Sequence, residues 1–100
     1  MDLRITGRKA LVLGASGGLG RAIAVALGTE GAHVIAADRN ADELPETLDE
    51  VRRRGGTCQP LILDLGQPSD IETAIDELQK TVGTISVLVN NTGGPPAKPR

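Results

Sequence analysis

Four of the seven residues in Gly14-Ala15-Ser16-Gly17-Gly18-Leu19-Gly20 are glycines, and the segment follows directly on the apolar run Ala10-Leu11-Val12-Leu13. A strand that ends in such a turn and feeds a helix leaves the helix's first N–H groups unpaired and pointing at the turn. Together with a dipole equivalent to about half a positive charge, those groups make a site for an anion. Glycine permits the positive φ of the turn and lets a diphosphate approach the backbone closely. A carboxylate, Asp38, closes the second apolar run 18 positions beyond Gly20. That spacing suits an acid that accepts the hydroxyls of a ribose attached to the diphosphate. Arg39 follows at once, and an Arg there can instead pair with a phosphate on the same sugar.

Other chemistry is poorly provided for. The pattern G-x-G-x-x-G is not met, because Gly18 and Gly20 are followed by Ile23, and no Gly-Lys-Ser/Thr follows to make a P-loop. Cys58 is the single cysteine, so neither a disulfide framework nor a thiolate metal cluster can be drawn, and no metal site is expected. His33 enters the second apolar run far from the turn and reads as structural or solvent-facing. A net charge of −2 and a pI near 5.3 argue against a nucleic-acid partner. The one basic run, Arg52-Arg53-Arg54, suits the solvated C-terminal end of a helix. The N-terminus lacks the apolar core of a signal peptide, and no apolar stretch approaches the roughly 20 residues that span a bilayer. A soluble, cytoplasmic protein is expected.

The elements that must position these residues alternate regularly. Ala10–Leu13, Val34–Ala37, Leu61–Leu63 and Ile85–Val89 are near-continuous apolar runs, the pattern of parallel strands buried on both faces. Between them lie three helical patterns. The first is expected from Gly18 to about Glu30, with Gly31 as its stop, and the second from about Ala41 to Arg54, with Asp42 as a candidate cap and Pro45 in the first turn. In the third, Ser69 and Glu72 form a capping box ahead of the apolar stripe Ile71, Ala74, Ile75, Leu78 and Val82. Right-handed crossovers then give an α/β fold of three layers, α/β/α, whose partial parallel sheet has the strand order 3-2-1-4. The first two helices cover one face and the third covers the other. The fourth strand is left as an apolar edge. Residues 1–94 form the binding segment and residues 95–100 a loop or tail.

The glycines at 14, 18 and 20 fit G-x-x-x-G-x-G, and this resembles the short-chain dehydrogenase/reductase family, whose usual form is T-G-x-x-x-G-x-G. Leu13 stands where the family has Thr. Because Gly17 is also present, G-x-x-G-x-x-G of the extended branch fits equally, and the turn alone does not separate the branches. Later segments favour the ordinary single-domain branch. Asp64-Leu65 follows the third run, where the family places an Asp against the adenine ring. Asn90-Asn91-Thr92-Gly93 resembles its N-N-A-G element, with Thr92 in place of Ala. Thr6-Gly7-Arg8-Lys9-Ala10-Leu11-Val12 looks like the same branch's lead-in to its first strand.

The resemblance implies a Rossmann-like fold that binds NAD or NADP. Its cofactor residues would be Gly14, Ser16, Gly17, Gly18, Leu19, Gly20, Asp38, Arg39, Asp64, Leu65, Asn91, Thr92 and Gly93, with the amides of residues 14 to 20 cradling the diphosphate. Asp38 favours NAD(H), since a carboxylate binds the ribose hydroxyls and repels a 2′-phosphate, whereas Arg39 signals the opposite. The family's reaction is hydride transfer to a carbonyl or from an alcohol, with Tyr as general acid/base, a Lys four residues later, and Ser and Asn orienting the substrate. This chain holds no Tyr, and neither Lys80 nor Lys98 is placed to substitute. No catalytic residue can therefore be assigned, and the 100-residue chain alone is expected to be inactive. The segment Asn91-Thr92-Gly93-Gly94-Pro95-Pro96 resembles an extension in some 3-oxoacyl carrier-protein reductase-like members. A small carbonyl or alcohol substrate and a tetrameric homo-oligomer are implied for a full-length protein. A non-catalytic dinucleotide-binding module, an inactive truncated protein, and a fold holding another adenosine ligand such as S-adenosylmethionine remain as alternatives.

Overall fold

The computed structural model describes residues 5–39, 41–63 and 68–91, with the backbone alone given for 68–70. Seven elements alternate: β1 (Lys9–Leu13), α1 (Gly18–Thr29), β2 (His33–Asp38), α2 (Leu44–Arg53), β3 (Thr57–Ile62), α3 (Pro68–Val82) and β4 (Ile85–Asn90). All strand pairs are parallel, in the order β3-β2-β1-β4. The expected α/β topology is therefore the one observed.

Two apolar layers hold it together. On one face, Val12, Val34 and Ala36 of the central strands meet Ala24 of α1 and Leu44, Leu48 and Val51 of α2. On the other, Leu11, Leu13, Ile35 and Ala37 meet Leu78 of α3, flanked by Ile71, Ile75 and Val82. The alternation of strand side chains across the pleat divides each central strand between the two layers. Each fully buried aliphatic side chain is worth roughly 1.5–3 kcal/mol, so β1 and β2 are the secure part of the sheet.

The outer strands differ from the expectation of burial on both faces. β3 and β4 alternate between shielded and exposed positions, and Ile62 and Leu88 are 55% and 48% exposed. Among the described residues each has one strand neighbour; Leu88 pairs with Leu11 on the face of α3, whereas Ile62, next to Leu61 and Leu63 of that layer, points to the opposite face. β3 also begins earlier than its apolar residues suggest, at Thr57, and contains Pro60. Leu63 donates its N–H to Asp38 O of β2 at 3.0 Å. Alternate residues of β3 face β2 in the same way, which leaves position 60 facing outward, where a missing N–H breaks no bond within the sheet.

Helix ends follow the local chemistry, with two differences. α1 stops as expected at Gly31, which adopts φ +99°. α2 begins at Leu44 rather than Ala41 and shows no side-chain cap bond. Pro45 explains this, since its ring would clash with a helical carbonyl four residues earlier, so the helix starts late enough to keep Pro45 in its first turn. α3 begins at Pro68, so Ser69 falls inside the first turn rather than ahead of it. The Ser69 side chain, and with it the capping box, lies outside the described residues. The three arginines at the end of α2 are exposed, and Arg53 and Arg54 pair with Glu50 at 2.6 and 2.8 Å. The hydrogen bond from Arg54 holds the Glu50 carboxyl below its ordinary value.

Cys58 packs in the α1/α2 layer, its Sγ donating to Leu48 O at 3.5 Å. Burial pushes its thiol pKa up. Since the thiolate is the reacting species, Cys58 is expected to react with an aromatic disulfide reagent roughly tenfold or more slowly in the native protein than after denaturation. Equal rates in both states would contradict this packing.

Candidate functional site

Parallel pairing in register brings the carboxyl ends of the strands to one edge. Leu13 pairs with Ala37 on one side and Asn90 on the other, and Asp38 pairs with Ile62. The glycine-rich turn, Asp38 and Asn91 all emerge there. His33 sits at the opposite end, its ring nitrogens 2.9 Å from Thr57 Oγ1 and 2.8 Å from Gln59 Oε1. Its partners tie β2 to β3, in keeping with a structural role.

The turn's amides divide into two sets. Gly14 and Ala15 both donate to Ala37 O, at 2.8 and 3.0 Å. Ser16 donates to Asp38 Oδ2 through its N–H at 3.2 Å and through its hydroxyl at 2.6 Å. The expected cradle of amides from 14 to 20 is thus too long, because the first three are spent on β2. In α1, the first N–H to reach back along the helix is that of Arg21, to Gly17 O at 3.4 Å. No acceptor among the described residues meets the N–H groups of Gly17, Gly18, Leu19 or Gly20, of which the last three belong to α1. These three orphan donors, at the positive end of α1, are where an anion would be held.

The backbone also shows which glycines the turn requires. Gly14 and Gly18 have φ of +76° and +57°, which side chains disfavour. A Cβ on Gly20 would stand 1.9 Å from Gly14 O and 3.0 Å from Asn91 Nδ2. Gly17, by contrast, is extended at φ −164°, and a Cβ there would meet nothing nearer than Glu43 Oε1 at 3.8 Å. The geometry therefore demands glycine at 14, 18 and 20, the spacing G-x-x-x-G-x-G, and leaves 17 unconstrained.

Two residues that the sequence reading passed over secure the turn from behind. Thr47 of α2, wholly buried, donates its hydroxyl to Ala15 O at 2.7 Å. Arg21 of α1 donates to Ser16 O at 3.3 Å and pairs with Glu46 of α2 at 3.5 Å. A signal for Thr47 was present: it falls on the inward stripe with Leu44, Leu48 and Val51, and a hydroxyl on an apolar stripe needs an acceptor.

Of the remaining expected residues, Leu19 is 65% exposed on the first turn of α1, and Arg39 is exposed next to Asp38. Asn91 donates its N–H to Leu13 O at 3.0 Å and holds its side chain against Gly20. Asp64, Leu65, Thr92 and Gly93 lie outside the described residues. Among the described residues, no helix is long and apolar enough to cross a membrane.

Comparison with known proteins agrees with this geometry. The family model for short chain dehydrogenase matches residues 8–100. The chain is 34% identical over 98 residues to the 7alpha-hydroxysteroid dehydrogenase of Escherichia coli strain K12, covering 98% of this chain and 38% of that protein. A solved short-chain dehydrogenase/reductase from Burkholderia xenovorans superposes with a TM-score of 0.84 at 41% identity, over 92% of this chain and 37% of that one. The L-sorbose reductase of Gluconobacter frateurii, solved with NADPH and L-sorbose, superposes at 0.80 with 31% identity, over 93% and 36%. An NAD+-bound xylitol dehydrogenase superposes at 0.75 with 27% identity, over 85% and 33%. The chain spans about a third of the length of the curated relatives it matches.

Proposed function

The chain belongs to the short-chain dehydrogenase family, and we propose that it is the part of such an enzyme that holds NAD(H), with the diphosphate on the amides of Gly18, Leu19 and Gly20 and the adenosine ribose on Asp38. The observation that carries this reading is the trio of orphan N–H groups at the start of α1, at the same edge of the sheet as a carboxylate that Ser16 holds through its N–H and hydroxyl. Gly14, Ser16, Gly17, Asn91 and Arg39 line the same end of the sheet, and the resemblance adds Asp64, Leu65, Thr92 and Gly93. When bound, the nicotinamide accepts or supplies a hydride. What these residues do is bind and orient: the N–H groups and dipole of the helix terminus attract the diphosphate, and the carboxylate accepts ribose hydroxyls through charge-assisted bonds.

Relatives hold either NAD+ or NADPH. The preference for NAD(H) proposed here therefore rests on Asp38 alone, which would repel a 2′-phosphate. For the whole protein we propose reduction of a carbonyl or oxidation of an alcohol by hydride transfer. A 3-oxoacyl substrate is supported only by Gly93-Gly94-Pro95-Pro96, which lie outside the described residues. The resemblance further implies a cytoplasmic homo-oligomer. Titration of the intact protein with NADH and NADPH, followed by nicotinamide fluorescence, tests the reading. Enhancement with both and tighter binding of NADH is the expected result. Tighter binding of NADPH would overturn the use made of Asp38, and binding of neither would overturn the cofactor assignment.

A further inference from the structure

Thr47 is the one wholly buried polar side chain among the described residues, set between Leu44, Leu48 and Val51 on the inward stripe of α2. Valine would fill the same volume, and an apolar stripe has no need of a hydroxyl. Threonine within a helix commonly turns its hydroxyl back to the carbonyl one turn earlier. This one instead leaves its own helix to reach Ala15 O at 2.7 Å, 32 residues away in the chain.

The acceptor belongs to a particular peptide unit. A trans peptide is planar, and its C=O and N–H point to opposite sides; the described residues contain no cis bond. The unit joining Ala15 to Ser16 has its carbonyl on Thr47 and its N–H on Asp38 Oδ2, so the two groups grip it from opposite edges. Rotation of that plane would carry Ser16 away from Asp38, and the 2.6 Å bond from the Ser16 hydroxyl would go with it. The next unit is held alike on its carbonyl side, where Arg21 donates to Ser16 O. Its N–H, that of Gly17, must point the other way, away from the arginine.

We propose that Thr47 is a positioning residue for the dinucleotide site: by fixing the Ala15–Ser16 peptide plane it sets the Ser16–Asp38 pair that receives the ribose. This rests on the function proposed above. Thr47 touches no ligand and acts through the backbone, and it joins the body of α2 to the recognition of the sugar.

Thr47→Val, which keeps the shape and removes the donor, is compared with Thr47→Ser, which keeps the donor, in NADH titrations of the intact protein. Thr47→Val is expected to weaken NADH roughly tenfold, the loss of about one hydrogen bond's worth of order. Thr47→Ser is expected to stay within about twofold of the unaltered protein. In an Asp38→Asn background, Thr47→Val is expected to add less than about twofold, because the two residues act through one peptide unit. A purely structural hydroxyl would lower the melting temperature and leave the affinity of the folded protein unchanged. That result overturns the proposal while the cofactor reading stands. Full additivity with Asp38→Asn overturns it too. Failure of the unaltered protein to bind NADH or NADPH removes the cofactor reading and this inference together. If Thr47→Val yields no folded protein, Thr47→Ala goes through the same titration with the same expectations.

Discussion

Gly20→Ala is expected to lower NADH affinity roughly hundredfold or more, the loss of about two hydrogen bonds to a charged group. A methyl group there would stand 1.9 Å from Gly14 O and 2.8 Å from Gly14 C, both backbone atoms that cannot swing aside. Gly14 is in turn bonded to Ala37 O, so the strand cannot retreat either. The start of α1 has to move, and the donors at Gly18, Leu19 and Gly20 move with it. Fluorescence titration measures the loss, and far-UV circular dichroism reports whether the sheet survives. Affinity retained within about threefold would mean that those donors do not hold the diphosphate. Gly17→Ala is the natural comparison. Its extended backbone suits any residue and its N–H is kept, so the effect there is expected to be slight.

Asp38→Ser is expected to change the ratio of NADH to NADPH affinity roughly hundredfold in favour of NADPH. Two effects contribute in the same direction. Charge-assisted bonds from the ribose hydroxyls, each about 1.5–3 kcal/mol, are lost from the NADH complex. Repulsion between the carboxylate and a 2′-phosphate disappears from the NADPH complex, while Arg39, exposed next in the chain, remains to attract it. The Ser16 hydroxyl also loses its acceptor at Oδ2, which frees it to meet the phosphate. Competitive titration with the two cofactors reads the ratio. An unchanged ratio would place the sugar away from Asp38.

Much of this arrangement is legible in the order of residues. The two central strands announce themselves because they are apolar throughout Ala10–Leu13 and Val34–Ala37, a consequence of burial on both faces. Topology follows from handedness once the alternation of strands and helices is seen. The outer strands are harder to read. β3 holds Thr57, Gln59 and Pro60, which no hydrophobic pattern would nominate, because register with β2 rather than burial makes them a strand. The start of α2 is legible only in part: Pro45 excludes a helix running from Ala41, but the pattern does not place the first helical residue at Leu44. At the candidate site, spacing singles out the three glycines that the turn's geometry requires, but the carbonyl hydrogen bonds that orient the turn are invisible to it. Thr47 lies 32 residues from its partner, and only the folded chain brings the two together. The division of the amides, with those of Gly14, Ala15 and Ser16 given to β2 and the later ones left without an acceptor among the described residues, depends equally on tertiary register.

The proline in β3 and the bare leucine in β4 make the two flanks of the sheet unlike. Among the described residues, the β3 flank lacks a donor at Pro60, so a further strand could not complete a ladder along it, whereas β4 beside Leu88 carries no proline. Any strand that extends this sheet is therefore expected to join at β4 and not at β3.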